Sequence, residues 1–146
     1  MSFGDRNIYQ RARESAGLTQ ERAAELLDIS VESIRAYELD KRYPPERVVA
    51  TMVEVYNMQA LAYQHLKYSS EIARRCLPEI REVNLPTAIL RLYKEVNDFE
   101  KCRDELVDIG CDGVIDSDEM PRFIKIIQGL DDLMAAVMAL KLKIRE

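Results

Sequence analysis

Apolar residues recur three and four positions apart along nearly the whole 146-residue chain, and nowhere do they alternate with polar ones between Gly or Asn-Gly turns. That spacing belongs to helices with one buried face, whereas strands repeat every second residue. The expected fold class is therefore all-α. The chain is 47% hydrophobic and 32% charged, with five Gly, five Pro and no low-complexity run, which is the make-up of a folded protein and not of a disordered tail. Its length suits one ordinary core, or a small head followed by a separate helical arm.

The punctuation divides the N-terminal part finely. A first helix is expected from about Asp5 to Ala16, with Ile8, Tyr9, Ala12 and Ala16 inward, ending at Gly17, a residue at ease in the left-handed conformation. Thr19 caps a second helix that runs through Leu27, with Ala23, Ala24, Leu26 and Leu27 as its apolar positions. Asp28-Ile29-Ser30 makes a turn, and Ser30 caps a third helix, Val31 to Leu39, with Ile34 and Tyr37 inward. Two short helices joined by a three-residue turn form the helix-turn-helix layout. Tyr43-Pro44-Pro45-Glu46 forces an extended loop and sets a proline in the first turn of a fourth helix, whose inward face is Val48, Val49, Met52, Val53 and Tyr56. Beyond Asn57, a fifth helix with Ala60, Leu61 and Leu66 closes the head near Lys67.

The run Gly17-Leu18-Thr19-Gln20-Glu21-Arg22-Ala23-Ala24-Glu25-Leu26-Leu27-Asp28-Ile29-Ser30, continued by Ser33-Ile34-Arg35-Ala36-Tyr37-Glu38, resembles the XRE or lambda-repressor-like DNA-binding domain over about residues 5–66. Gln20, the small Ala24, Ile34 and Tyr37 fall together at the family's spacings. Asp28 stands where the family usually has Gly, and Asp tolerates the left-handed conformation better than most residues. The resemblance implies a five-helix head whose third helix enters the major groove of double-stranded DNA while the second crosses the backbone. It places Thr19 and Gln20 at phosphate, and Val31, Glu32 and Ala36 at base edges. Ser33, Arg35, Lys41 and Arg42 are within reach of phosphate or an edge, according to docking angle. Glu32 is suited to accept from cytosine N4, and Val31 or Ala36 to touch a thymine methyl. It also implies a structural ion pair between Arg13 and Glu38.

Charge enters through its placement. Residues 1–66 hold eight Lys and Arg against ten Asp and Glu, within a chain of net charge −5, so the overall balance does not favour phosphate. Arg22, Arg35, Lys41, Arg42 and Arg47 nevertheless bracket one stretch of chain, and phosphate binding depends on where cations sit.

Past the head, Pro78 and Pro86 punctuate a connector. Leu85, Ile89, Leu92, Val96, Phe99 and Leu106 then trace a 3-4 seam, answered by Met120, Phe123, Ile127, Leu130, Met134, Val137 and Ile144 on a helix from about Ser117 to Arg145. The pair is expected as an antiparallel hairpin zipped along these seams. Ile124, Ile126, Leu133, Met138, Leu140 and Leu142 widen the last helix's apolar face and call for a further partner, the head or a second subunit. The division expected is 1–67 helix-turn-helix domain, 68–84 helical connector and 85–146 dimerising hairpin. This C-terminal part is too short and too helical to be the self-cleaving Ser-Lys protease domain found on some relatives of the family.

Several function classes find no support. Cys76, Cys102 and Cys111 lack zinc spacing and are expected to be reduced structural thiols; His65, the single histidine, is expected to pack or to face solvent. No hydrolytic triad, cofactor or catalytic residue is assigned. The segment Asp108 to Glu119 partly resembles a calcium-binding EF-hand loop, with Asp108, Asp112, Asp116 and Glu119 at ligand positions and Gly113 at the sharp turn, but Gly110 brings no oxygen where a third ligand belongs. The alternative use of the same residues is a turn at Gly113 and a capping box between Asp116 and Glu119. No apolar run approaches a membrane span, and Met1-Ser2-Phe3-Gly4-Asp5-Arg6 lacks a signal-peptide layout, so a cytoplasmic location is expected. The leading expectation is a homodimeric, sequence-specific DNA-binding regulator. A protein-interaction adaptor and a calcium-responsive regulator are the alternatives.

Overall fold

The computed structural model describes residues 7–144, which fall into two units, 7–77 and 78–144. The described residues contain helices and no strand, so the protein is all-α.

In the first unit, α1 (Ile8–Ser15), α2 (Gln20–Leu27), α3 (Val31–Glu38), α4 (Glu46–Val55) and α5 (Ala60–Ser69) are followed by a short α6 (Glu71–Cys76). Side-chain caps set four of the starts: Asn7 accepts from the Gln10 amide at 3.0 Å, Thr19 from Arg22 at 3.1 Å, Ser30 from Ser33 at 3.1 Å and Ser70 from Ala73 at 3.2 Å. Asp5, the expected start of α1, lies outside the described residues, and the helix opens behind Asn7 instead. Between α2 and α3, Asp28 takes the left-handed conformation (φ 52°, ψ 47°), so the turn forms without the family's glycine. The core joins Tyr9 and Ala12 of α1, Ala23 and Ala24 of α2, Ile34 and Tyr37 of α3, Met52 of α4 and Leu61 of α5.

Two apolar expectations fail here for rotational reasons. Leu26 is exposed because Ala23, Ala24 and Leu27 define the buried side of α2, and Leu26 falls about 100° away from it. Leu66 is exposed as well, because the inward place one turn after Leu61 goes to His65. The expected connector 68–84 divides: Tyr68 packs on the head core, α6 follows, and residues 77–84 are not helical.

The second unit is a hairpin of α7 (Leu85–Gly110) and α8 (Met120–Lys141), about 39 and 33 Å long. Asn84 caps α7, accepting from the Thr87 amide at 2.9 Å, with Pro86 in the first turn. The helices run antiparallel: Ala88 and Arg91 share a cleft with Ala135, Ala136 and Ala139, whereas Cys102 and Glu105 neighbour Arg122, Ile126 and Gly129. Arg122 and Glu105 pair across the helices at 3.5 Å. The expected seams hold only in part: Leu92, Phe99, Leu106, Phe123 and Leu130 are half-buried, with Phe99 in the cleft beside Ile126, while the other members are exposed. The residues buried in the hairpin are Ala88 and Ile109 on α7 and Ile126, Ala136 and Ala139 on α8. Ile89, Val96, Ile127, Met134 and Val137 remain 38–50% exposed. Ile109 and Ile126 are buried there together with the small Ala88, Ala136 and Ala139, and only the exposed members of the 3-4 rows are turned aside.

The loop between α7 and α8 is held by its own acids. Gly113 supplies a positive φ of 78°, and Asp112 accepts from the Val114 amide at 2.9 Å. Asp116 accepts from the amides of Asp118 and Glu119 at 2.8 and 2.9 Å, while Glu119 reaches back to the Asp116 amide at 3.1 Å. These bonds organise the turn that leads into α8, which starts at Met120 and not at Ser117; Arg145, its expected end, lies outside the described residues. Among the described residues no three metal-ligating side chains converge, and no helix is long and apolar enough to cross a membrane. The three thiols are free, with Cys76 and Cys111 exposed and Cys102 half-buried.

Candidate nucleic-acid interface

The two helices at the turn are fixed from behind by one buried charge pair. The Arg13 guanidinium on α1 donates to both carboxylate oxygens of Glu38 at the end of α3, at 2.6 and 3.0 Å, and to the Leu18 carbonyl at 2.7 Å. The Glu38 hydrogen bond is the main reason the Arg13 pKa is raised, outweighing desolvation. A second anchor ties the other end of α1 to α3, since the Asn7 amide group donates to the Tyr37 carbonyl and, at 2.9 Å, to Asp40. Asn7 was not picked out in the sequence. Its signal was available, as Asn immediately before an apolar-periodic run is a favoured helix cap.

From this frame a polar relay reaches the surface. Glu38 also accepts from the Gln20 side-chain amide at 2.8 Å, and the Gln20 carbonyl oxygen accepts from Arg35 at 3.3 Å. Gln20 and Arg35, assigned to different helices, thus stand side by side, with Thr19 adjacent at the start of α2. The Arg35 guanidinium also lies 3.9 Å from Glu21. The exposed Glu21 carboxyl is held below its usual pKa by its own backbone amide first, then by the Thr19 hydroxyl and Arg35.

Along α3, Glu32 and Arg35 are exposed, and Val31, Ser33 and Ala36 are half-buried. Val31 also packs on the core, so only part of it faces out. Ser33 shares a 3.0 Å hydrogen bond with Ser30 and accepts from Arg42 at 2.7 Å. The Arg42 guanidinium lies 5.1 Å from the centre of the Tyr37 ring, which folds this cation back along α3. Lys41 is exposed just past the helix end, where its amide bonds the Ala36 carbonyl at 2.9 Å. Arg47 is placed differently, on α4, lining a cleft with Asp28 and Ile29.

The arrangement gathers Thr19, Gln20, Arg35, Ser33 and Arg42 around a short helix whose first amides have no intrahelical acceptor, the usual setting for oxyanion contacts. The acids of the head do not cancel it uniformly: Glu38 is buried against Arg13, and Glu25 is paired with Arg22 at 2.8 Å. Glu32 is the acidic group left on the outer face of α3.

His65 is the other polar group taken inside. Its Nδ1 lies 2.8 Å from the Tyr9 hydroxyl, and burial pushes its pKa down and that of Tyr9 up. The pair links α5 to α1 and stands apart from the face of α3.

Six helices with a capped three-residue turn between the second and third define a helix-turn-helix module, the architecture of DNA-binding regulators. Residues 10–66 match the family model described as a helix-turn-helix domain, in keeping with the repressor-like resemblance, and this part of the chain is such a domain. The C-terminal part is not assigned to a family. No curated protein and no solved structure matches the chain.

Proposed function

We propose that the protein is a sequence-specific transcriptional regulator that binds double-stranded DNA through α3, acts as a homodimer held by its C-terminal helices, and works in the cytoplasm. The observation that carries the reading is the relay Arg13–Glu38–Gln20–Arg35, which orients a phosphate-reaching pair from a buried ion pair beside the exposed side of α3. Thr19 and Gln20 meet the backbone. Glu32 and the outward parts of Val31 and Ala36 face base edges, and Ser33, Arg35, Lys41 and Arg42 flank them. Two heads are needed because the repressor type reads paired half-sites about one helical turn apart.

Selection of bound sequences from a random duplex pool tests this. A motif should enrich, and retardation should weaken steeply with salt. Arg35→Ala and Gln20→Ala should each reduce affinity without altering the motif. Glu32→Ala should relax one position by about 1–3 kcal/mol of discrimination. No enrichment and no retardation of any duplex at low salt would abandon DNA and favour a protein-interaction adaptor. An unchanged motif with Glu32→Ala would mean that α3 is docked differently.

A further inference from the structure

The rows turned aside by the hairpin contact have a definite destination. On α7 the facing positions include Ala88, Glu95 and Cys102, whereas Ile89 and Val96 lie one residue later, about 100° around the helix. On α8 the facing positions include Ile126, Leu133 and Ala136, and Ile127, Met134 and Val137 likewise lie one residue later. Two antiparallel helices rotated in the same sense about their own axes turn towards the same side. The exposed members of the two rows therefore come out together along the hairpin, while Leu92, Phe99, Leu106, Phe123 and Leu130 stay half-buried.

That face is long and carries few charges. On α8 the row from Met120 to Val137 carries no charged residue, and on α7 the row from Leu85 to Leu106 is interrupted by Arg103, which pairs at 2.9 Å with Glu100 on the flank between Tyr93 and Val107. Leu85, Ile89 and Val96 are 50, 50 and 43% exposed, and Met120, Ile127, Met134 and Val137 are 42, 39, 38 and 39% exposed. With roughly 150–250 Å² for a fully exposed large side chain, the seven exposed row residues present about 450–750 Å², and about 650–1,100 Å² with the flanking Tyr93 and Val107. A monomer rarely leaves so much in one patch, and about 800 Å² is what each partner contributes to a standard interface.

We propose that this face, and not the contact between α7 and α8, is the dimerisation surface, and that its occupant is the same face of a second copy. The hairpins then close as a four-helix bundle about a two-fold axis. A strip equal in length to the hairpin, built from two 3-4 rows and depleted of charge, is matched by its own symmetry mate in extent and in chemistry. The proposal rests on the dimeric reading above and specifies its surface. The sequence expected these residues to zip the hairpin internally; the structure frees them to join two hairpins.

The test is sedimentation velocity of the full chain across the micromolar range, without DNA. The parent chain should be a dimer. Ile89→Lys combined with Val137→Lys should raise the dissociation constant by roughly a hundredfold or more while the helical circular dichroism is retained. Leu90→Lys is the control: Leu90 is 68% exposed on the same helix but points away from both rows, and it should leave the dimer intact. A monomeric parent chain, a dimeric double variant, or equal dissociation by Leu90→Lys would each overturn the assignment. The measurement is independent of DNA, so heads that bind no duplex would refute the proposed function and leave this result standing.

Discussion

Replacing Glu38 by Ala isolates the largest single electrostatic element of the head. The Arg13 and Glu38 side chains are only 8 and 5% exposed, so the variant strands a guanidinium in the interior. Removing one partner of a buried pair usually costs about 3–5 kcal/mol. Here Arg13 keeps the Leu18 carbonyl at 2.7 Å and Glu14 at 3.8 Å, which lowers the expected loss to about 2–4 kcal/mol. For a unit of this size that is a fall in melting temperature of about 10–25 °C. Six of the seven tyrosines lie before residue 70 and there is no tryptophan, so near-ultraviolet circular dichroism of the full chain reports the head's unfolding. Arg13→Met combined with Glu38→Leu leaves no buried charge and should recover most of the loss, because the pair's attraction is largely offset by its desolvation. A Glu38→Ala variant destabilised by less than about 1 kcal/mol, or a double replacement no better than the sum of its singles, would refute the reasoning.

Two further outcomes follow from the same core. Burial lowers the His65 pKa, so as pH falls below the ordinary imidazole value of 6.5 the unfolded chain takes up a proton that the native chain resists. Stability should be flat above that value and decline below it in thermal melts between neutral and mildly acidic pH, and His65→Gln should flatten the decline, since this is the chain's single histidine. Asp28→Gly should stabilise by about 0.5–1 kcal/mol, because glycine holds the φ of 52° without the side-chain penalty; a loss of stability would mean that the Asp28 carboxylate has a partner role of its own.

The head was legible because its information is local. Thr19 and Ser30 cap amides three residues on, Asp28 sets the turn by its own left-handed backbone, and the inward faces of α2, α3 and α4 follow from helical period, so caps, turn and most of the core could be read directly. The implied pairing of Arg13 with Glu38 came through the family resemblance, and the structure contains it. What could not be read was where that pair leads. Gln20 and Arg35 are fifteen positions apart, and only the packing of α2 against α3 brings both into line with Glu38. Asn7 is legible as a cap of its own helix, but its bonds to Tyr37 and Asp40 cross from one helix to another and are not.

The hairpin marks the boundary most clearly. A 3-4 apolar row states that a helix has a side to be buried, and the sequence by itself determined that α7 and α8 each have one. It did not say against what. The choice belongs to tertiary packing: Ala88 and Ile109 of α7 and Ile126, Ala136 and Ala139 of α8 are buried in the hairpin, and Ile89, Val96, Ile127 and Val137 are left facing outward. Period is a property of one helix, whereas rotation about the helix axis is settled only when two helices share a contact, because it depends on which pair of faces brings the backbones closest.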